Sequence, residues 1–227
     1  MLDKFEKKTG FEFKDKKILE QAFIHRSFLN EKKDENFKHN ERLEFLGDAV
    51  LELATTIFLY NKFPHKPEGE LTALRSALVN TEALSKKAQE LEMGKYLRMS
   101  KGERKCLKGR EHILANTFES FVGALFLDQG FSKVEEFLKK YLFEYIEEIL
   151  EKGLFRDAKS FFQEMSQEKE KITPQYKLIK QVGPDHDRKF VMGVYLNDEF
   201  VAQGEGSSKQ KAETEAAKKG LEVKKWL

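Results

Sequence analysis

The sequence predicts an α+β chain of two domains, an all-α domain over residues 1–150 and a small α-β-β-β-α domain over residues 155–227. Three observations carry this reading. Apolar residues recur at helical spacing through the first 150 positions. Beyond Gly153 the spacing changes to the alternation of strands, with a helical stretch on either side. A length of 227 residues, 40% of them hydrophobic, suits one large or two smaller cores.

In chain order, helices are expected at 16–29, 41–61, 68–79, 81–91, 111–127 and 132–150. Short polar or Gly/Pro pieces such as Phe63-Pro64-His65-Lys66-Pro67 separate them. The segment Met1–Gly10 is charged and has no apolar signal region, and Lys101–Arg110 reads as a basic, glycine-containing loop. After Gly153, Asp157–Glu168 reads as a helix. Gln175–Val182 and Lys189–Leu196 follow as strands, Asn197-Asp198 as a tight turn, and Glu199–Gln203 as a third strand. Ser207-Ser208 then opens a last helix with Ala212, Ala216, Ala217 and Leu221 turned inward.

Net charge is only +2. Divided at residue 150, the chain has 26 basic and 26 acidic residues before that point and 15 and 13 after it. Neither part is a polycation, so a surface for nucleic acid must come from local clustering. The single cysteine, Cys106, excludes an intramolecular disulfide and suits a reducing compartment. It reads as an incidental thiol. No apolar run approaches the ~20 residues of a membrane span. A soluble, cytoplasmic protein without membrane partner or small-molecule cofactor is expected.

The charge pattern is uneven in two places. Between Arg42 and Lys62 nineteen residues pass without a basic one, while Glu41, Glu44, Asp48 and Glu52 fall three or four apart along one side of a helix. From His112 to Ser132 there is again no Lys or Arg, and Glu119 sits among Ile113, Leu114, Phe118, Phe121, Val122, Leu125 and Phe126. Solvated helix faces mix signs, and an isolated buried carboxylate is costly unless paired or bound to a metal. Two apolar helices with unpaired acids can pack so that the acids converge on a divalent cation such as Mg²⁺. The plain alternative is an acidic edge facing water or lysines from elsewhere in the fold.

Glu41-Arg42-Leu43-Glu44-Phe45-Leu46-Gly47-Asp48-Ala49 resembles the signature of the ribonuclease III family. Phe13-Lys14-Asp15 with Leu19, Ala22 and His25-Arg26-Ser27 resembles its N-terminal helix pattern. Glu68-Gly69-Glu70-Leu71 resembles its next acidic stretch, and Ile113 through Gly130 its final catalytic helix. One position departs: Asn116 stands where the family usually carries Asp three residues before the Glu, here Glu119. The α-β-β-β-α segment resembles a double-stranded RNA-binding domain. Such domains read duplex RNA mostly by shape, over roughly 16 base pairs.

The resemblance implies a homodimeric, Mg²⁺-dependent endoribonuclease, with Mn²⁺ as a substitute ion. It would hydrolyse double-stranded RNA to 5′-phosphate and 3′-hydroxyl ends and process structured precursors such as ribosomal RNA. It makes Asp48 and Glu119 the principal metal ligands, Glu44 a ligand directly or through water, and Asn116 a source of one neutral carbonyl oxygen. Glu41 and Glu68 would line the cleft and orient RNA, and Phe45 would plug into the other subunit. Ser160, Gln163 and Gln167 would contact minor-groove 2′-hydroxyls, and Gly183-Pro184-Asp185-His186 would enter a second minor groove. Lys209 and Lys211, in a first helical turn where the macrodipole favours anions, make sense as a phosphate grip. Asn116 also favours an alternative, a dimer that has lost turnover and acts by binding duplex RNA alone.

The remaining features read as structural. The histidines at 25, 39, 65, 112 and 186 have no metal-ligand spacing, and His25 is expected to be a structural residue. Gly204-x-Gly206 lacks the context of a dinucleotide site. The twenty phenylalanines read as core, Phe45 excepted.

Overall fold

The computed structural model describes residues 2–31, 37–105, 109–151, 153, 155, 157–184 and 188–226. Contacts divide it into two units, Met1–Ile149 and Leu150–Leu227. In the first unit α1 (Leu2–Thr9), α2 (Lys16–Ala22), α3 (Arg26–Glu31), α4 (Glu41–Lys62), α5 (Glu68–Val79) and α6 (Thr81–Glu90) follow one another. A 3-10 turn at Met93–Lys95 leads to α7 (Lys101–Lys105), α8 (Arg110–Gln129), α9 (Phe131–Tyr141) and α10 (Tyr145–Glu151).

α8 is the centre of this unit. From Leu114 to Leu125 only Asn116 and Glu119 escape full burial, as expected of a helix with apolar or small residues on nearly every side. It packs chiefly on α4 and also on α2, α6 and α9. Around Phe121 gather Phe5, Phe13, Phe23 and Phe137, with ring centroids 4.9–6.4 Å from it. These tilted and edge-on contacts fill the core with rings that need no polar partner.

Four segments differ from the sequence expectation. α1 forms although Phe5 is its one buried apolar residue. Its inner face is completed by Glu6, whose carboxylate is buried but accepts from Phe13 N (2.7 Å) and from Lys16 Nζ (2.6 and 2.8 Å). The segment 16–29 is interrupted at Phe23–His25, because Phe23 O and His25 N exchange hydrogen bonds with Arg98 at 2.8 and 2.9 Å. The segment 132–150 is interrupted after Tyr141; there Phe143 turns in and stacks on Phe58 at 4.1 Å. Within the expected loop 101–110, α7 forms one turn, with Ser100 Oγ accepting from Glu103 N at 3.1 Å as a cap.

The second unit is α11 (Ala158–Lys169), β1 (Pro174–Val182), β2 (Lys189–Leu196), β3 (Glu199–Gly206) and α12 (Lys209–Lys224). The strands form an antiparallel sheet in the order β1-β2-β3, with Val182 opposite Lys189 and Leu196 opposite Glu199. Asn197, at φ +55°, makes the tight β2–β3 turn. Phe162, Val194, Leu196, Ala216, Ala217, Leu221 and Trp226 form the core between sheet and helices. β3 runs three residues beyond the expected end at Gln203 because its glycines serve contact, not looping. A Cβ on Gly204 would lie 2.2 Å from Ala216 N, and one on Gly206 2.5 Å from Ala212 N, so α12 rests directly on the strand.

The same device joins α4 to α8. A Cβ on Gly47 would lie 1.8 Å from Glu119 O, and one on Gly123 2.2 Å from Leu43 O. The helices therefore cross with backbone against backbone. Gly47→Ala is expected to cost at least about 3 kcal/mol through this overpacking. Gly69→Ala, at an open position in α5 with nothing within 4 Å, should be neutral or stabilising by ~0.5 kcal/mol. Thermal unfolding of the two variants beside the parent checks this, and similar midpoints for both would contradict the contact.

Candidate active site

The glycine crossing decides which side chains meet. Glu44 and Asp48 lie on α4, one residue or one turn from Gly47. Asn116 and Glu119 lie on α8, two turns and one turn before Gly123. Asn40, buried at the start of α4, holds that helix: its N–H donates to Ile24 O at 2.9 Å, and its side-chain amide to Ala22 O at 3.3 Å. Ser120 Oγ, buried in α8, donates to Asn116 O at 2.6 Å and approaches Asn40 O at 3.4 Å.

The Asn116 side-chain amide lies beside the Glu44 carboxylate and favours its charged form. Glu44, Asn116 and Glu119 are half-buried and Asp48 is exposed. Burial pushes the Glu119 carboxyl up to about 7, reinforced by the negative charges of Asp48 and then Glu44. Burial also raises Glu44, against the neighbouring Asn116 amide, with Glu41 and Asp48 adding repulsion. Other inward acids of this unit are neutralised by the fold. Asp128, near the end of α8, accepts from the backbone N–H groups of Lys14 (2.9 Å) and Asp15 (2.8 Å). At Glu119 no cation of the described residues plays that part.

A cleft of about 540 Å³ opens beside this group, lined by His25, Arg26, Asn40, Glu41, Glu44, Glu103, Ile113 and Asn116. Glu41 sits on its rim, 3.3 Å from Arg26 Nη1. Glu68 does not line it; exposed in the first turn of α5, it accepts from Thr72 Oγ1 at 3.0 Å. Sequence reasoning missed His25 as a cleft residue, and it missed Glu103. The first lies in what looked like continuous helix, the second in what looked like a basic loop.

The donor set of Glu44, Asp48, Asn116 and Glu119 is all oxygen, which suits a hard divalent cation. Among the described residues no three Asp, Glu, His or Cys side chains already form a closed metal cage. Such a cation commonly keeps waters and takes only one or two carboxylates, so an open set fits Mg²⁺.

Phe45, between the two α4 acids, is 82% exposed, and Leu53 and Tyr60 continue an exposed apolar stripe down the helix. In the second unit Ser160, Gln163 and Gln167 are exposed on α11, and Gln167 reaches Thr173 Oγ1 at 3.4 Å. Lys209 and Lys211 are exposed in the first turn of α12, where Ser208 Oγ caps Lys211 N at 3.2 Å. Lys159 pairs with Glu213 at 2.6 Å and so sets the start of α11 beside α12. His186, with Asp185 and Asp187, lies outside the described residues, as does Cys106.

A helical unit with a carboxylate-lined cleft, followed by an α-β-β-β-α unit, defines a nuclease carrying a module for RNA duplexes. Residues 15–146 match the family model described as Ribonuclease-III-like, and residues 158–224 match the double-stranded RNA binding motif. The chain belongs to the ribonuclease III family, the double-stranded-RNA-specific endoribonucleases. It is similar to the protein named Ribonuclease 3 of Nitratiruptor sp., 44% identical over 99% of this chain and 97% of that one. To that of Borreliella burgdorferi it is 42% identical, over 98% and 91% of the two chains. Among solved structures it resembles the nuclease domain of ribonuclease III from Campylobacter jejuni, with TM-score 0.56 and 38% identity over 62% of this chain and 95% of that one. That structure is described as flexible in a region involved in dimer formation. No described helix is long and apolar enough to cross a membrane.

The Glu119 shift has a testable sign. Its folded value, about 7, lies above the ordinary carboxylate value of 4.5. The folded state then holds the proton more tightly than the unfolded state, so this contribution is fully present below about 4.5 and is lost as pH rises through 7. Without divalent ions, Glu119→Gln should be more stable than the parent at pH 8 by on the order of 1–2 kcal/mol, allowing for screening at a partly exposed site. The gap should close near pH 5. Unfolding curves at the two pH values measure it, and a gap independent of pH would contradict the assignment.

Proposed function

We propose that the chain acts as a homodimer that uses Mg²⁺, or Mn²⁺ in its place, to hydrolyse duplex RNA to 5′-phosphate and 3′-hydroxyl ends. The observation that carries this reading is Glu119, raised to about 7 by burial and by Asp48 and Glu44 across a helix crossing that admits no side chain. Asp48 and Glu119 are the principal ligands, Glu44 binds directly or through water, and Asn116 adds a neutral carbonyl oxygen. A bound Mg²⁺ supplies Lewis acidity toward water and toward phosphate oxygens as the P–O3′ bond breaks. The side chains hold charge and geometry: the Asn116 amide keeps Glu44 toward its charged form, and Glu41 on the rim keeps the RNA backbone in line. Glu68 acts as an outer, RNA-orienting carboxylate.

Phe45 buries its exposed ring in the second subunit, which explains so apolar a residue at 82% exposure beside two acids. Residues 1–150 form the nuclease and dimerisation domain and 155–227 the RNA-binding domain. In the latter, Ser160, Gln163, Gln167 and His186 face minor grooves, and Lys209 and Lys211 grip phosphate. The substrates are structured precursors such as ribosomal RNA, in the cytoplasm.

The test is a metal titration on one long RNA duplex with EDTA as control. The parent should cleave, and Glu119→Gln should not, while still binding the duplex. Asn116→Asp, which restores an anionic ligand, should lower the Mg²⁺ needed for half-maximal cleavage several-fold, and Mn²⁺ should narrow the difference. Equal Mg²⁺ requirements would place Asn116 outside the ligand set. The binding-only reading, which Asn116 favours, would be upheld if parent and Asp variant were both inert at every metal concentration.

For the RNA-binding module, Lys209→Ala with Lys211→Ala should weaken binding to unrelated duplexes equally and reduce the slope of log K against log salt by about 1–2. Filter binding between 50 and 200 mM salt reads both quantities. A loss confined to one RNA sequence would count against a phosphate grip.

A further inference from the structure

His25 is not used by the reading above, yet it lines the cleft with Glu41, Glu44, Glu103 and Asn116. It stands between α2 and α3, and two hydrogen bonds define its ring. Ser27 N donates to His25 Nδ1 at 3.3 Å, so Nδ1 is an acceptor. Ser27 Oγ, which lies 2.8 Å from the same nitrogen, accepts from Ser100 N at 3.0 Å and directs its own proton to Nδ1. A neutral imidazole that accepts at Nδ1 carries its proton on Nε2. Burial, the largest influence on the ring, lowers its pKa and keeps it neutral, with Glu103 and Glu41 opposing and Arg26 and His39 assisting.

Among the described residues Nε2 has no partner, nor is it one of the buried orphaned polar atoms, so it opens to the cleft. The cleft wall there sets this N–H among three carboxylates, Glu41, Glu44 and Glu103, with one guanidinium, Arg26, already paired with Glu41 at 3.3 Å. Three carboxylates against one guanidinium leave this wall negative, so a phosphate oxygen would meet net repulsion at Nε2. A ribose 2′-hydroxyl, donor and acceptor at once, is complementary to this N–H beside a carboxylate, and A-form duplexes display it in their shallow groove.

We propose that His25 is a specificity-determining residue, whose Nε2–H donates to the 2′-hydroxyl of a ribose next to the scissile phosphate while Glu41 or Glu103 accepts a hydrogen bond from that hydroxyl. This rests on the reading of the cleft as the place of RNA cleavage. It gives the nuclease unit its own means of telling RNA from DNA. A site that hydrogen-bonds a hydroxyl disfavours the substrate lacking it, because donor and acceptor lose that partner when the duplex closes the cleft.

The test is a double-mutant cycle between protein and substrate. An RNA duplex with one cleavage site is prepared unmodified and with a single 2′-deoxy substitution at either nucleotide flanking the scissile phosphate. Parent, His25→Asn and His25→Gln are compared by kcat/KM and by thermal unfolding. Asn places an acceptor near the Nδ1 position and no donor at Nε2; Gln keeps a donor near Nε2. One of the two deoxy substitutions should slow the parent about tenfold, and His25→Asn should slow cleavage of the unmodified duplex by about as much. Combined, the two changes should cost no more than either alone, and His25→Gln should keep its sensitivity to the deoxy position. Multiplying effects, or a parent indifferent to both deoxy substitutions, would overturn the proposal. If His25→Asn does not fold, the parent and Gln arms decide the matter by the same criteria. A parent that leaves even the unmodified duplex uncut would instead overturn the cleft's assignment.

Discussion

The α4–α8 crossing, with Gly47 and Gly123 each seated on the other helix's backbone, is the constraint from which the nuclease unit is built. An ordinary pair of helices is held 8–10 Å apart by its side chains, and those side chains can repack. Here the spacing is set by main chain, which cannot. Two glycines within helices cost roughly 0.5–1 kcal/mol each in chain entropy. The burial of α8 on nearly every side offsets this. In return the backbones that carry the acids of two helices are held at a spacing no side-chain repacking can alter.

The electrostatics show how unusual that gathering is within this fold. Glu6 is more deeply buried than Glu119, yet it is satisfied by Lys16 and by the Phe13 N–H. Asp128 sits at the unfavourable end of the α8 dipole and is satisfied by two backbone amides. The fold thus neutralises acids where they serve structure. It leaves Glu119 among like charges, as expected of a group whose partner arrives with function.

What the sequence could reveal follows from these terms. The acidic lines on α4 and α8 were legible because charge patterning survives without knowledge of the fold, and the apolar periods around them marked both helices as core. The contact that joins them was not. Gly47 and Gly123 look like weak points in a helix until the opposing backbone is known, and Gly204 and Gly206 fell outside the expected strand for the same reason. α1 was hidden because a buried, paired Glu6 fills a place that pattern reading reserves for apolar residues. His25 and Glu103 needed tertiary structure, since hydrogen bonds from Arg98 and Ser100 break the local helical period and bring distant segments to one cleft.

Those same bonds give the cleft two walls of unequal firmness. The carboxylate wall is anchored in the largest apolar contact of the unit. The opposite wall, α7 with Glu103, is a five-residue helix, too short to hold itself. It is laced to residues 23–31 by single hydrogen bonds, Ser100 N to Ser27 Oγ and Lys101 N to Glu31 Oε1. Breaking a few such bonds costs far less than unfolding the core, so this wall belongs to the low-energy end of local opening. This wall can therefore yield while the acids opposite keep their positions.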